Sequence, residues 1–173
     1  MTSPYRAPRQ ITSSDDVDEF ICRSSEQTQW LRRYALQSSS MGTTRVFVVT
    51  QHLDNSVVAY YAWCMAQLEL AAAPTRLRKG AGRYPQPVAL LARLGVHTEH
   101  EGRGLGAALL VDAITRFVAM SVDIGCRGLL IHAESNEARN FYLHHIPELD
   151  ESPTDELHLV LLLKDAKRTM LGK

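Results

Sequence analysis

The stretch from Leu94 to Ala107 reads Leu-Gly-Val-His-Thr-Glu-His-Glu-Gly-Arg-Gly-Leu-Gly-Ala and joins two strongly patterned segments of the chain. The apolar run at 88–96 is bounded by turn residues, which predicts a buried central strand. Beyond the stretch, apolar residues recur at steps of four, one and three, which predicts an amphipathic helix over 104–122. Three alternating glycines therefore lie where a buried strand passes into a helix.

This glycine loop has the chemistry of a pyrophosphate cradle. Glycines let a backbone approach a ligand closely, and a helix N-terminus adds about half a positive charge. A glycine turn that is needed only for positive φ is the alternative. Residues 102–107 also fit the dinucleotide fingerprint G-x-G-x-x-A, but that motif usually opens its domain, and here it lies late in the chain. A P-loop is excluded because no Gly-Lys-Ser/Thr follows.

The remaining pattern predicts a mixed α/β fold. In chain order we expect one or two helices over 14–37 with Ser13, Ser14 or Asp15 as N-cap, a hairpin of strands at 46–49 and 57–63, a loop over 71–87, a strand at 128–132, a helix at 136–144 and a strand at 157–163. This order predicts a mixed central sheet with helices on its faces.

Composition bounds the class of protein. The chain has 173 residues, of which 45% are hydrophobic, and its 19 basic residues balance 19 acidic ones. We expect a single domain over 1–173, with 1–13 as a flexible or peripheral segment. Fibrous, disordered and disulfide-stapled classes are excluded, and so is a surface that is basic all round.

Location and metal content are also predicted from the sequence. No apolar stretch follows the N-terminal charges, and the run at 57–68 is shorter than the roughly 20 residues of a membrane span, so we expect neither a signal peptide nor a membrane helix. Cys22, Cys64 and Cys126 form no CxxC pair, which favours a reducing cytoplasm. No paired Cys/His spacing is present, so we expect no metal site.

Two motifs resemble the signatures of the GNAT (Gcn5-related) N-acetyltransferase superfamily. Glu101-Gly-Arg-Gly-Leu-Gly106 is similar to Gln/Arg-x-x-Gly-x-Gly/Ala, except that glutamate stands first. Asn136-Glu-Ala-Arg-Asn-Phe-Tyr142 is similar to Asn-x-x-Ala-x-x-Phe/Leu-Tyr, with one residue fewer before the alanine. The resemblance implies the GNAT fold, a mixed central sheet with a splayed central strand and flanking helices.

The same resemblance implies acetyl-CoA as co-substrate and assigns roles to residues of both motifs. Tyr142 resembles the general acid that protonates the leaving thiolate; the alternative is a packed helical tyrosine. Asn136 would contact the cofactor, cap its helix, or do both. The residues implied to bind the pyrophosphate and the pantetheine arm are Leu94, Gly95, Val96, Glu101, Gly102, Arg103, Gly104, Leu105 and Gly106.

The resemblance extends to the GNAT toxins of type II toxin–antitoxin systems. It rests on Phe20-Ile-Cys22, Trp30-Leu31, Tyr60-Tyr61, Pro85-x-Pro87, Ala92-Arg-Leu-Gly-Val96, and Ser152-Pro-Thr-Asp155 followed by 159–165. It implies acetylation of the α-amino group of aminoacyl-tRNA, a small ribbon–helix–helix antitoxin as partner, and a homodimer. Glu101 departs from the family pattern, and so does His145-Ile-Pro147, which stands where Gly-Phe is usual.

Charge is sorted along the chain in a way that suits a tRNA substrate. No acidic residue occurs at 71–98, and the last residues add Lys164, Lys167, Arg168 and Lys173. Such a stretch is either a solvated loop or a phosphate-binding surface. The candidate tRNA contacts are Arg76, Arg78, Lys79, Arg83 and Arg93.

No carboxylate is marked as a general base, since Glu69 and Glu99 are candidates by position only. An α-amino group has an ordinary pKa of about 7.7–8.0, against about 10.4 for lysine, so an α-amino acceptor is already partly neutral. Two alternatives stay open. One is a GNAT enzyme that acts on a small amine or a protein N-terminus, and the other is a coenzyme-A-binding protein that acts through a partner.

Overall fold

The computed structural model describes residues 2–171 and has the expected mixed α/β architecture. Its strands and helices alternate along most of the chain. They are β1 Arg9–Gln10, α1 Ser25–Arg33, α2 Ala35–Met41, β2 Arg45–Thr50, β3 Val57–Leu68, α3 Thr75–Arg78, β4 Gln86–Val96, α4 Leu105–Met120, β5 Gly128–His132, α5 Asn136–His145, β6 Asp150–Ser152, β7 Asp155–Leu162 and α6 Leu163–Leu171, with single 3₁₀ turns at Leu70–Ala72 and Thr98–His100.

The seven strands form one mixed sheet in the order β1-β2-β3-β4-β5-β7-β6. Strands β4 and β5 are parallel, and β2 and β3 form the predicted antiparallel hairpin. The parallel pairing covers only Val88–Leu91 of β4, so the second half of this strand continues beyond the residues paired with β5. That half carries the segment that leads into the glycine loop.

The chain divides into two compact units. The first comprises the residues up to Cys64 together with Ala92–Asp112. Its core contains an aromatic cluster, in which Phe20 meets Tyr60 edge to face and Trp30 stacks on Tyr60. The second comprises Met65–Leu91 and the residues from Ala113 onward, and it contains an aliphatic cluster around Leu77 and Val88.

The predicted start of the first helix is wrong. Helix α1 begins at Ser25, and its N-cap is Ser24, whose side chain accepts from the Gln27 amide. Asp15, one of the three expected caps, instead forms a two-pronged ion pair with Arg9, with N–O distances of 2.6 and 2.8 Å. Since this carboxylate also accepts from the Thr12 amide, it closes a loop rather than starting a helix.

Four strands and helices were not predicted. The expected loop at 71–87 contains α3, and β1, β6 and α6 lie where no element is expected. Of the N-terminal segment 1–13, Met1 lies outside the described residues, whereas Arg9 and Gln10 pair with β2. Arg6 donates to the Thr50 hydroxyl and to the carbonyls of His52 and Asp54, which ties this segment to the sheet. Short edge strands carry too little pattern to be predicted.

Candidate active site

The glycine loop combines left-handed backbone with open space. Gly102 and Gly104 have φ of 74° and 78°, a conformation that side chains other than glycine adopt with strain. A Cβ built at either position meets no atom within 4 Å, so the space beside the backbone is available. The 16-residue helix α4 begins at Leu105, directly after these glycines. The loop therefore combines backbone beside open space with a helix N-terminus that follows directly.

The glutamate at the first motif position is neutralised within the first unit. Arg23 donates to both carboxylate oxygens of Glu101, from Nε at 2.9 Å and from Nη2 at 3.0 Å. The fork-to-fork geometry fixes both side chains although they remain partly exposed. The unusual negative charge at the loop is thus balanced, which the sequence could not show because the partners are 78 residues apart.

Tyr5, in the N-terminal segment, contacts two residues of the loop, His100 and Arg103. Its hydroxyl lies 2.8 Å from Nδ1 of His100 and accepts from Arg103 at 3.1 Å. Burial lowers the pKa of His100, and the charges of Arg103 and His97 lower it further. The imidazole is then neutral near pH 7, so it has an acceptor nitrogen for the Tyr5 proton. The sequence gives no signal for this contact, since Tyr5 lies in an unpatterned segment.

Gly95 has a different role from the loop glycines. A Cβ at Gly95 would lie 3.2 Å from the Tyr60 ring and 3.3 Å from the Cys22 sulfur. A Cβ at this position would therefore press on Tyr60 and Cys22, so the close packing of these side chains against β4 favours glycine. Leu94 and Val96 beside it are half-buried, and this segment of β4 lies beyond the residues that pair with β5.

In the second unit, Asn136 does not cap α5. Ser135 is the N-cap, and its side chain accepts from the Ala138 amide at 3.1 Å. The expectation that Asn136 caps the helix is therefore wrong. The Asn136 side chain is exposed and makes no hydrogen bond within residues 2–171, which leaves its amide available.

Tyr142 has the environment of a proton donor. Its side chain lies on α5 and is only 6% exposed. Burial raises the pKa of its phenol well above the usual range, and the charge of Glu134 raises it further, so the proton is retained at physiological pH. Within residues 2–171 the hydroxyl makes no hydrogen bond, and no enclosed polar side-chain atom of this part lacks a partner, so the oxygen keeps access to solvent.

The basic candidates are not equivalent. Arg93, in the first unit, lies over Trp30 at 4.9 Å and donates to Gln27 at 3.1 Å. Arg76, in the second, donates to Asp150 and Asp165, each at 2.8 Å. Both arginines are thus engaged within their own unit. Arg78, Lys79 and Arg83 are exposed, as a phosphate-binding surface requires.

Within residues 2–171, no group of three or more His, Cys, Asp or Glu side chains is placed to hold a metal ion. None of the helices in this part combines the length and the apolar character needed to cross a membrane.

A central strand that outlasts its parallel partner and runs into an open glycine loop and a helix is the arrangement of GNAT N-acetyltransferases, and this chain has that fold. It superposes on a KacT mutant with a TM-score of 0.88 at 17% identity, covering 96% of this chain and 99% of KacT. For AtaT complexed with acetyl-methionyl-tRNAfMet the TM-score is 0.85 at 21% identity, over 95% and 98% of the two chains. Another relative is more similar to this chain in sequence.

The chain is 44% identical over 170 residues to the tRNA-acetylating toxin of Mycobacterium tuberculosis, covering 98% of this chain and 99% of that protein. It therefore belongs to the family of GNAT toxins that includes this tRNA-acetylating toxin, as its motifs predict. No protein-family model matches the chain.

Proposed function

We propose that this protein transfers the acetyl group of acetyl-CoA to the α-amino group of an aminoacyl-tRNA and so blocks translation. The observation that carries this proposal is the 44% identity to a tRNA-acetylating toxin along nearly the whole chain. The proposed chemistry is supported by the hydroxyl of Tyr142, which is accessible to solvent and makes no hydrogen bond within residues 2–171.

The residues of the glycine loop suit acetyl-CoA. The amides of Glu101, Gly102, Arg103, Gly104, Leu105 and Gly106 would hold the pyrophosphate, and the free space beside Gly102 and Gly104 gives it room. The β4 backbone at Leu94–Val96 would pair with the pantetheine arm, and the exposed amide of Asn136 would add a contact. A mutant of AtaT has been solved with the C-terminus of its antitoxin AtaR and acetyl-CoA bound. When bound, acetyl-CoA supplies an activated thioester.

The residues of this chain would supply one proton donor and no strong general base. Burial raises the pKa of Tyr142, so its phenol stays protonated, and Oη is the atom that would deliver a proton to the departing sulfur. Glu69 and Glu99, the only base candidates by position, are both exposed. An α-amino acceptor suits such a site since it loses its proton near pH 8 without strong assistance.

The balance of charge at the loop can be tested through Arg23. Replacing Arg23 with alanine leaves the Glu101 carboxylate uncompensated beside the diphosphate, so we expect acetyl-CoA affinity to fall roughly two- to fivefold, the range of a partly exposed ion pair. Calorimetric titration of both variants with acetyl-CoA measures this effect. Adding Glu101→Gln to Arg23→Ala should restore the affinity. If the double variant binds as weakly as the single one, repulsion by Glu101 is not the cause.

The proposed partners and location follow from the substrate and the family. AtaT has been solved with AtaR, and KacTA has been solved on DNA. We propose a small ribbon–helix–helix antitoxin and a homodimer for this chain as well. A protein that acetylates charged tRNA would act in the cytoplasm, where translation occurs. The exposed Arg78, Lys79 and Arg83 are its proposed contacts to the tRNA backbone, and Arg76 and Arg93 would contribute further positive charge.

One labelling experiment tests the proposed function. Purified protein is incubated with labelled acetyl-CoA and a total pool of charged tRNA, and we expect label on the α-amino group of one or a few aminoacyl groups. Deacylated tRNA is the matched control, because it has the same phosphates but no amine. Label on a protein N-terminus or a small amine instead would support the first alternative. Absence of any transfer, with acetyl-CoA bound, would support a binding protein.

A further inference from the structure

A cavity of about 380 Å³ in the second unit is lined by an unusual concentration of positive charge. It lies where α6 begins, and its lining contains no carboxylate and no aromatic ring among the described residues. Leu77, Leu162, Leu163 and the buried Cys126 form its apolar part. Its five cationic side chains are Arg76, Lys79, Arg127, Lys164 and Lys167.

The two arginines connect the elements that surround this cavity. Arg76 bridges β6 and α6, since it donates to Asp150 and to the buried Asp165. Arg127 donates to the carbonyls of Leu77 at 2.8 Å and Lys79 at 3.4 Å, and to the side-chain oxygen of Gln86 at 2.6 Å. Arg127 therefore fixes the end of α3 without being neutralised by a carboxylate.

The three lysines are uncommitted. Within residues 2–171, Lys79, Lys164 and Lys167 make no hydrogen bond or ion pair through their side chains. The chain contains only four lysines, and the fourth, Lys173, lies outside the described residues. Three of the four thus line one cavity, although arginine supplies most of the positive charge elsewhere. With Arg127, four charges in this cavity have no carboxylate partner.

We propose that this cavity binds consecutive backbone phosphates of the tRNA, an inference that rests on the proposed function. Its volume exceeds that of one phosphate group, and several separated cations suit a chain of phosphates. No aromatic ring is present on which a base could stack, so contact through phosphates fits better than contact through bases.

Lysine chemistry favours phosphate over an acidic peptide. Planar carboxylates are bound best by the forked guanidinium of arginine, but both arginines here already donate to groups of the protein. The uncommitted cations are ammonium groups, which act as point charges and bind phosphate oxygens from any direction. The cavity would position the tRNA without reading its sequence.

The test compares Lys164→Gln/Lys167→Gln with the wild type in binding a deacylated tRNA over a range of salt concentrations. Each lost phosphate contact lowers the slope of log affinity against log salt by about one, so we expect a slope smaller by about two and binding roughly tenfold weaker at low salt. Acetyl-CoA affinity should be unchanged. Arg32→Gln/Arg33→Gln is the matched control, because it removes two exposed charges from α1 and should leave the slope nearly unchanged.

The outcomes separate this proposal from the proposed function. If the wild type acetylates charged tRNA and the double lysine variant binds tRNA with an unchanged slope, the cavity is overturned and the function stands. If the wild type acetylates no tRNA, the function itself fails. If the variant binds tRNA normally but escapes inhibition by its antitoxin, the cavity binds an acidic protein segment, which also overturns the proposal.

Discussion

Substitution of Gly104 by valine is expected to abolish acetyl-CoA binding while the fold survives. Gly104 has φ of 78°, which a β-branched residue adopts only at a cost of about 1–3 kcal/mol. The side chain would also project into the open space that the diphosphate requires. Calorimetric titration with acetyl-CoA, together with a thermal unfolding curve for each variant, measures binding and stability separately.

Gly42 provides the matched control for this substitution. It ends α2 with the same φ of 78°, and a Cβ there also meets no atom within 4 Å. Gly42→Val therefore carries similar backbone strain away from the loop, and it should lower the melting temperature without changing acetyl-CoA affinity. If Gly104→Val and Gly42→Val both bind acetyl-CoA normally, the glycines of the loop serve only its turn and the cofactor is held elsewhere.

The parts of the fold that were predicted correctly are those in which local pattern and buried face agree. The strands β2, β3 and β5 are apolar runs bounded by turn residues. Helix α4 buries, as the spacing of its apolar residues predicts, Leu105, Leu109, Leu110, Ala113 and Phe117. These elements are specified by neighbours in sequence. They also place the glycine loop, which is why its position could be predicted before any contact was known.

The errors arise where a distant partner decides the local structure. Asp15 has the chemistry of an N-cap but pairs with Arg9, and Ser135 rather than Asn136 caps α5, a choice between adjacent residues that composition cannot make. The Arg23 partner of Glu101 and the contact of Tyr5 with the loop join positions 78 and 98 residues apart. No spacing rule reaches that far.

Charge along the sequence was a weaker guide than charge in space. The sequence leaves the basic stretch at 71–98 as either a solvated loop or a phosphate-binding surface. It does not show that Arg76 and Arg93 are engaged within their own units, by carboxylates and by an aromatic face with a glutamine respectively. Meanwhile Lys79 joins Lys164 and Lys167 in one cavity, although 85 residues separate the first two in sequence. The sequence therefore predicts which charges are present but not which are available to a ligand.

Replacement of Tyr142 by phenylalanine is expected to lower kcat by roughly 10²–10⁴-fold, the usual contribution of a positioned acid. The hydroxyl makes no hydrogen bond within residues 2–171, so its removal breaks none and the buried ring stays in place. Stability and acetyl-CoA affinity should therefore be unchanged. The proton is needed only as the C–S bond breaks, which is why the loss falls on kcat.

Tyr61→Phe is the matched control, because it also removes one tyrosine hydroxyl but from a different setting. The Tyr61 hydroxyl donates to Asp112 at 2.6 Å, so this variant should lose about 1–3 kcal/mol of stability and keep its kcat. Tyr142→Phe should thus lower kcat without changing stability, whereas Tyr61→Phe should lower stability without changing kcat. In the wild type, burial raises the pKa of Tyr142 above the ordinary tyrosine value near 10, so we expect any alkaline loss of kcat from this group to begin only above that pH. The Tyr142 hydroxyl makes no hydrogen bond within residues 2–171, so proton donation is the one role proposed for it. A folded Tyr142→Phe variant that retains full turnover on charged tRNA would therefore show that Tyr142 only packs.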